Sequence, residues 1–496
     1  MECTYARETK KRGPKVGYVE KLHHRIKELE GTKPPIGSQG NAHDETVPGD
    51  NIASRLPPLP IPERTIQLDL LERFFVTAHL NHAVLDKDTF MCNVVEQSPL
   101  LLNAMYTVAH AFAENSPDVK GAAVKAGFVK CRSLLLDALD KYSCSNVYAL
   151  SLLCAASMGQ NDVSLARTFL SMATNMAIQM QLHRDSLDLL PPKEEELRKR
   201  VWIYLFQLDS YLQMIAPSVP FLTQVEDMSL ALPNADIYLK KLVEDSRANG
   251  VANVPLEGSD AYDRWYMVSK QLTNDLAVDA ISIHSIFRNI AHHNMMINGW
   301  RSQPIEFVEY HAFKILEIQL NEWYSVKPVY FKNAPIAYSK DLFDPTRPIW
   351  EVAHQQIMYF LTRLTLQDEP FRQTSVQEAY GMTQYANEPK LWDCIDSARS
   401  IAHIVQVLYE SNLLIPYMVD PMTPIGISRA GHVMLVDVRS RYFTGAELNE
   451  TYVYLVILNN ALTQLATAWP VAGQISYELV SKTRECFESV VKSAEQ

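Results

Sequence analysis

Glycine is scarce, 17 of 496 residues. That leaves little room for glycine-rich phosphate loops or a succession of tight hairpins, which need backbone conformations that glycine adopts freely. Cysteine is sparse and unpaired. The seven cysteines stand at 3, 92, 131, 144, 154, 394 and 486, none in a CxxC pair. This predicts reduced, intracellular thiols, mostly buried as small hydrophobes. No apolar signal core opens the chain. The most apolar late stretch, 452–472, is interrupted by Asn459, Asn460, Gln464 and Pro470, and reads as a buried helix rather than a membrane span. Cations are outnumbered, 46 Lys and Arg against 57 Asp and Glu, for a net charge of −11, and such a body repels nucleic-acid phosphate. No P-loop, GxGxxG, HExxH or GxSxG motif is found, nor the Asp-rich metal motif of an α-helical terpenoid synthase. The chain does not read as an enzyme.

Histidine offers little metal chemistry. His23-His24 and His292-His293 are adjacent pairs, and neighbours on a helix point about 100° apart, so neither pair forms a ligand face. His79 and His82 are three apart and could share one face, but no Cys or carboxylate stands at ligand spacing beside them. Both read as packing or solvated residues.

The charge is unevenly distributed. Residues 1–33 carry nine Lys or Arg and five Glu, a net of +4, which leaves −15 on the rest. Five of those cations (Arg7, Lys10, Lys11, Arg12, Lys15) fall in residues 7–15 against one acid, Glu8. They could neutralise several phosphates, or form a solvated tail or nuclear-import signal. Val19, Leu22, Ile26 and Leu29 then follow at spacings of 3, 4 and 3, a short a/d seam. A basic segment joined to a short coiled coil is how dimeric DNA readers set half-site spacing. Residues 31–64 hold seven prolines and four glycines and read as a linker.

From Ile66 the apolar period becomes helical and stays so. Its clearest stretch is 163–182, where Ala166, Phe169, Leu170, Ala173, Met176, Ala177 and Met180 share a face. Pro191-Pro192 and Glu194-Glu195-Glu196 open the next helix, with acids placed to suit its dipole. Helical periods return at 263–300, 308–323, 350–366, 391–412 and 448–467, and 230–258 reads as a loop with short helices. No run of alternating strands is found. The expectation is an all-α fold, and the lack of a visible repeat disfavours a solenoid.

Cys3-Thr4-Tyr5, Lys10-Lys11-Arg12-Gly13-Pro14-Lys15 and the helix Val19–Glu30 together resemble the end of the six-cysteine binuclear zinc cluster of fungal transcription factors. By that resemblance Cys3 matches the sixth zinc ligand, and the other five would lie before Met1. Zinc belongs to the full-length family, and none is expected on this chain, because one thiolate cannot hold two zinc ions. The body resembles the fungal middle homology region, of the xylanolytic-activator type. Leu70–Phe90 resembles its opening, without the His-Pro signature. Residues 166–185, ending Gln181-Leu182-His183-Arg184-Asp185, resemble an Ala-rich helix that closes in Gly-Leu-His-Arg. Residues 195–212, with Arg198, Arg200, Trp202 and Asp209, resemble the Glu-x-x-Arg-Arg-x-Trp-Trp…Asp segment, with Ile203 in place of the second Trp. Asp227 and Leu232-Pro233 fit its close.

The resemblance implies a nuclear fungal transcription regulator of the RNA polymerase II type. It also implies a helical domain that controls activity, with DNA, a second copy and the transcription machinery or co-regulators as partners, and no membrane. On this reading Lys10, Lys11, Arg12 and Lys15 touch DNA phosphate, and Val19, Leu22, Ile26 and Leu29 form the dimer seam. The expected organisation is a zinc-cluster remnant and basic linker at 1–17, a coiled coil at 18–30, a flexible linker at 31–64, a helical regulatory domain at 65–470, and a C-terminal helix or tail at 471–496. The alternative is a helical dimerisation or regulatory module without its own DNA reader, acting through protein partners. Within the body, His183 and Arg184 suit a helix C-terminus, where Arg184 is a cap or an ion-pair partner. Trp202 reads as core. Asp209 lies in an apolar turn and needs a cation, for which Arg184, Arg198 and Arg200 are the candidates.

Overall fold

Proline and N-cap side chains start many of the helices. A computed structural model of the chain describes residues 66–79, 84–184, 190–217, 220–223, 259–299, 308–332, 349–367, 389–411, 420, 422–440 and 445–494. All of them lie in one compact unit, 66–496. The basic arm, the seam residues, the linker and the stretch 230–258 fall outside the described residues. Among those described the fold is all-α, without a β-strand.

The first group of helices is α1 (Leu68–Val76), α2 (Lys87–Cys92), α3 (Pro99–Ala111), α4 (Pro117–Leu139), α5 (Cys144–Gly159), α6 (Val163–Gln179) and α7 (Pro192–Ile215). Pro99, Pro117 and Pro192 sit in first turns, where the missing N–H costs nothing. Asp86, Ser143 and Asp162 cap α2, α5 and α6, accepting from Thr89 N (2.7 Å), Asn146 N (3.2 Å) and Leu165 N (2.9 Å). The second group is α8 (Asp260–Gly299, 40 residues), α9 (Val308–Ser325), α10 (Val329–Lys332), α11 (Ile349–Leu366), α12 (Pro389–Glu410), α13 (Met422–Ser440), α14 (Gly445–Leu465) and α15 (Pro470–Ala494).

Helices α3, α5 and α6 pack in sequence, with α1 and α4 against α3. In the second group α8 packs on α11, α11 on α12, α12 on α13 and α14, and α13 to α15 on one another. Contacts between several helices unite the groups. Helix α7 lies against α5 and α6 of the first and α8 and α13 of the second, and α15 reaches α5. From Arg200 to Met214 every residue of α7 except Ile203 is buried. A helix buried on all faces is the centre of its domain.

Two glycines permit close approach. A Cβ on Gly127 of α4 would clash with Thr107 Oγ1 of α3, and one on Gly159 of α5 with Trp469 Cε3. The expected helix at 452–472 requires correction. Helix α14 ends at Leu465, a turn follows, and Pro470 starts α15, because proline supplies no N–H to continue the ladder. It is not buried throughout either, since Tyr452, Val453 and Val456 are exposed. Among the described residues no helix is long and apolar enough to cross a membrane.

Candidate functional site

Asp209 is fully buried on α7. A carboxylate stripped of water is costly unless donors replace its hydration. Here they come from three elements. Oδ2 accepts from Leu222 N, Thr223 N and Thr223 Oγ1, each at 2.9 Å, all in the short segment 220–223 that comes after α7. Arg288 of α8 directs Nη1 and Nη2 to the same oxygen, both at 3.3 Å. Arg167 of α6 places Nη1 3.8 Å from Oδ1.

Both arginines also hold the backbone of that segment. Arg288 Nη2 donates to the Thr223 carbonyl, and Arg167 Nη2 donates to the Pro220 carbonyl at 2.6 Å. The Arg288 guanidinium lies over two rings, 4.5 Å from the Phe206 centroid and 4.0 Å from that of Phe221. Ring faces attract the cation where water is excluded. The segment 220–223 is therefore fastened to α6, α7 and α8 at once.

A second polar group starts two residues further along α7, at Tyr211. The Tyr211 hydroxyl and His354 Nε2 of α11 are 2.9 Å apart, and that nitrogen is 3.8 Å from Asp420 Oδ2. Asp420 caps α13 by accepting from Met422 N (2.7 Å) and Thr423 N (2.9 Å). The His284 ring of α8 stands 5.3 Å from Tyr211 and 6.4 Å from Phe206, joining the two groups. Burial holds His354 below its ordinary titration range, against an upward pull from Asp420. Burial pushes Tyr204 on α7 up. The arrangement joins helices α6, α7, α8, α11 and α13. Chemically it is a set of fastenings between helices.

The sequence-predicted residues fall out as follows. Trp202 is buried, its ring 5.5 Å from that of His183. His183 is buried too, and Arg184 is exposed. The helix-end role expected of Arg184 is taken by Arg198, whose Nη2 donates to the Met180 carbonyl at 2.7 Å, just past the last turn of α6. Arg200 is buried against Glu196, Nε to Oε1 2.7 Å, one turn away on its own helix. The expected pairing of Asp209 with Arg184, Arg198 or Arg200 is thus overturned, since Arg288 and Arg167 are its cations. Arg198 and Arg200 are engaged elsewhere and lie two to three turns before Asp209 on α7. Arg288 did carry a signal, as the single Lys or Arg in the stretch Ile283–Ala291, beside Phe287 and Ile290. Its partner could not be read from that stretch.

Cys3, Lys10, Lys11, Arg12, Lys15 and the seam Val19, Leu22, Ile26 and Leu29 lie outside the described residues. The remaining thiols do not fit a binuclear zinc cluster with Cys3. Cys131, Cys144, Cys154, Cys394 and Cys486 are buried in four helices, with Cys144 and Cys154 both on α5, and Cys92 stands apart on α2. Burial pushes Cys131 and Cys144 each up to about 11 and raises Cys154 as well, as expected of thiols packed as small hydrophobes. Among the described residues no group of three or more His, Cys, Asp or Glu could hold a metal.

Residues 71–325 match the family model described as the fungal specific transcription factor domain. No curated protein and no solved structure matches the chain. The matched span runs from α1 through α9 and contains the Asp209 centre whole, with Arg167, Thr223 and Arg288.

Proposed function

The chain belongs to the fungal specific transcription factor domain family, and from that premise we propose that it is a DNA-binding regulator of RNA polymerase II transcription, acting in the nucleus. Its helical domain sets how active the regulator is. The observation that carries the reading is the family match over 71–325. The buried Asp209 centre inside that span gives the control function a physical basis. One carboxylate ties segment 220–223 to three helices, so release of that segment would free all three together.

DNA contact falls to the basic arm. Lys10, Lys11, Arg12 and Lys15 neutralise backbone phosphate, and Val19, Leu22, Ile26 and Leu29 pair two copies in parallel. The zinc cluster is left out of this mechanism, because the cysteines of the chain do not fit it. The alternative reading is a helical regulatory module that acts through protein partners.

A tethering experiment tests the reading. The full chain is fused to an unrelated DNA-binding module upstream of a fungal reporter gene. A change in transcription that Asp209→Asn alters supports the control function, and unchanged transcription overturns it. A mobility-shift assay then separates the two readings. Weak, steeply salt-dependent and sequence-indifferent DNA binding fits the basic arm. No DNA binding at low salt leaves the partner-acting module. Sequence-specific, zinc-dependent binding would overturn the account of the cysteines.

A further inference from the structure

Helix α4 has two faces of different use. Val124, Phe128, Cys131 and Ala138 are buried, and Phe128 stacks on Phe169 of α6 with centroids 6.3 Å apart. The opposite face carries Val119, Ala122, Ala126, Val129, Ser133 and Leu136, spaced 3, 4, 3, 4, 3. That is the seam of a coiled coil sustained for nearly three heptads. All six are exposed, Val119 at 53%, Val129 at 65% and Leu136 at 77%. An apolar stripe in coiled-coil register on the solvent side of a helix marks a surface made to receive another helix.

Charge identifies the visitor. The positions flanking the middle of the seam are Lys125 and Arg132 on one side and Lys130 on the other, all exposed. An antiparallel second copy that sets Ala126 against Val129 would bring Lys125 against Arg132 of its mate, twice. A parallel second copy would set Lys125 against Lys130, and its Arg132–Asp137 attraction only offsets that repulsion. Acidic flanks are the complement that gains on both sides. We propose that the outer face of α4 is the docking surface for an amphipathic helix of an acidic protein partner, its apolar row laid along Val119–Leu136 and its carboxylates against Lys125, Lys130 and Arg132. The inference stands apart from the DNA reading, and its test contains no DNA.

The full chain is titrated against two labelled synthetic peptides of three heptads, read by fluorescence anisotropy. Both carry Leu and Ala at a and d. One has Glu at e and g, the other Lys. The Glu peptide is expected to bind at least about tenfold tighter, and Leu136→Glu or Val129→Glu to weaken it about tenfold. The triple variant Lys125→Glu/Lys130→Glu/Arg132→Glu is expected to reverse the preference. All of these side chains are exposed, so thermal melting should be unchanged. If a glutamate variant fails to fold, Val129→Ser/Leu136→Ser serves in its place. Equal binding of both peptides, binding of neither, or binding insensitive to Leu136→Glu would overturn the proposal. So would self-association of the chain abolished by Leu136→Glu in sedimentation, which would assign the face to a second copy.

Discussion

Arg288 of α8 and Asp209 of α7 meet in the centre of the domain, both guanidinium nitrogens 3.3 Å from Oδ2, across 79 residues of sequence. The pair is desolvated on every side, and its strength lies in completeness. The carboxylate also receives two backbone N–H groups and a hydroxyl, and the cation lies over two ring faces. Removing one partner leaves a buried charge uncompensated, which costs far more than the net worth of the pair. Arg288→Ala and Asp209→Ala should each lower stability by about 3–5 kcal/mol. Asp209→Asn should cost less but still lower the melting temperature. Urea denaturation checks this, and an unchanged midpoint for Asp209→Asn would remove the centre from the account of stability. In a double-mutant cycle the two alanine losses should fall well short of additive.

Gln181 has a left-handed backbone, φ 55°, immediately after α6, where Leu182 N bonds back to the Ala177 carbonyl. This is the helix-ending position that glycine fills without strain. In the motif that residues 166–185 resemble, glycine stands there. Gln181→Gly should raise stability by about 0.5–1 kcal/mol, the strain relieved less the added freedom of the unfolded chain. Thermal melting decides it, and a lower midpoint would mean the Gln181 side chain contributes more than its backbone costs.

The helical glycines differ among themselves. Gly159 faces the Trp469 ring with no space for a methyl group, whereas nothing lies within 4 Å of a Cβ on Gly121. Gly159→Ala should destabilise by about 1–3 kcal/mol through overpacking. Gly121→Ala, within α4, should stabilise by about 0.5–1 kcal/mol through helix propensity. Chemical denaturation of the two variants should move in opposite directions.

Burial holds His354 neutral in the folded chain, below its ordinary 6.5, and Asp420 only partly offsets the shift. The unfolded state therefore binds the additional proton. Stability from this group is fully present above 6.5 and falls as pH drops below it, by at most about 1.4 kcal/mol per pH unit. Burial lowers His432 and His110 as well, and they add to the same window. His354→Asn keeps a polar partner for Tyr211 but cannot titrate, so stability between pH 7.5 and 5.5 should decline less steeply in the variant. Equal slopes would show that His354 is not among the responsible groups.

Local pattern made much of the fold legible. The expected helices at 263–300, 308–323, 350–366 and 391–412 correspond to Asp260–Gly299, Val308–Ser325, Ile349–Leu366 and Pro389–Glu410. Burial on one face imposes its period on the residues that form it. Trp202 was legible as core for the same reason. The cation for Asp209 was not. The candidates taken from neighbouring helix turns were engaged by Met180 and Glu196 instead. The break between α14 and α15 was obscured by a continuous apolar run, in which composition masked the proline's effect.

The sequence alone determined the helical class, the contrast between a basic arm and an acidic body, and the need of Asp209 for a positive partner. These follow from periodicity, charge counting and the cost of burying a carboxylate, which act along the chain. The tertiary structure decided which arginine answers that need, that segment 220–223 is held by it, and that the heptad row of α4 faces solvent. Those outcomes depend on which helix surfaces meet. Pairing across helices is set by packing between residues far apart in sequence, and no local period records it.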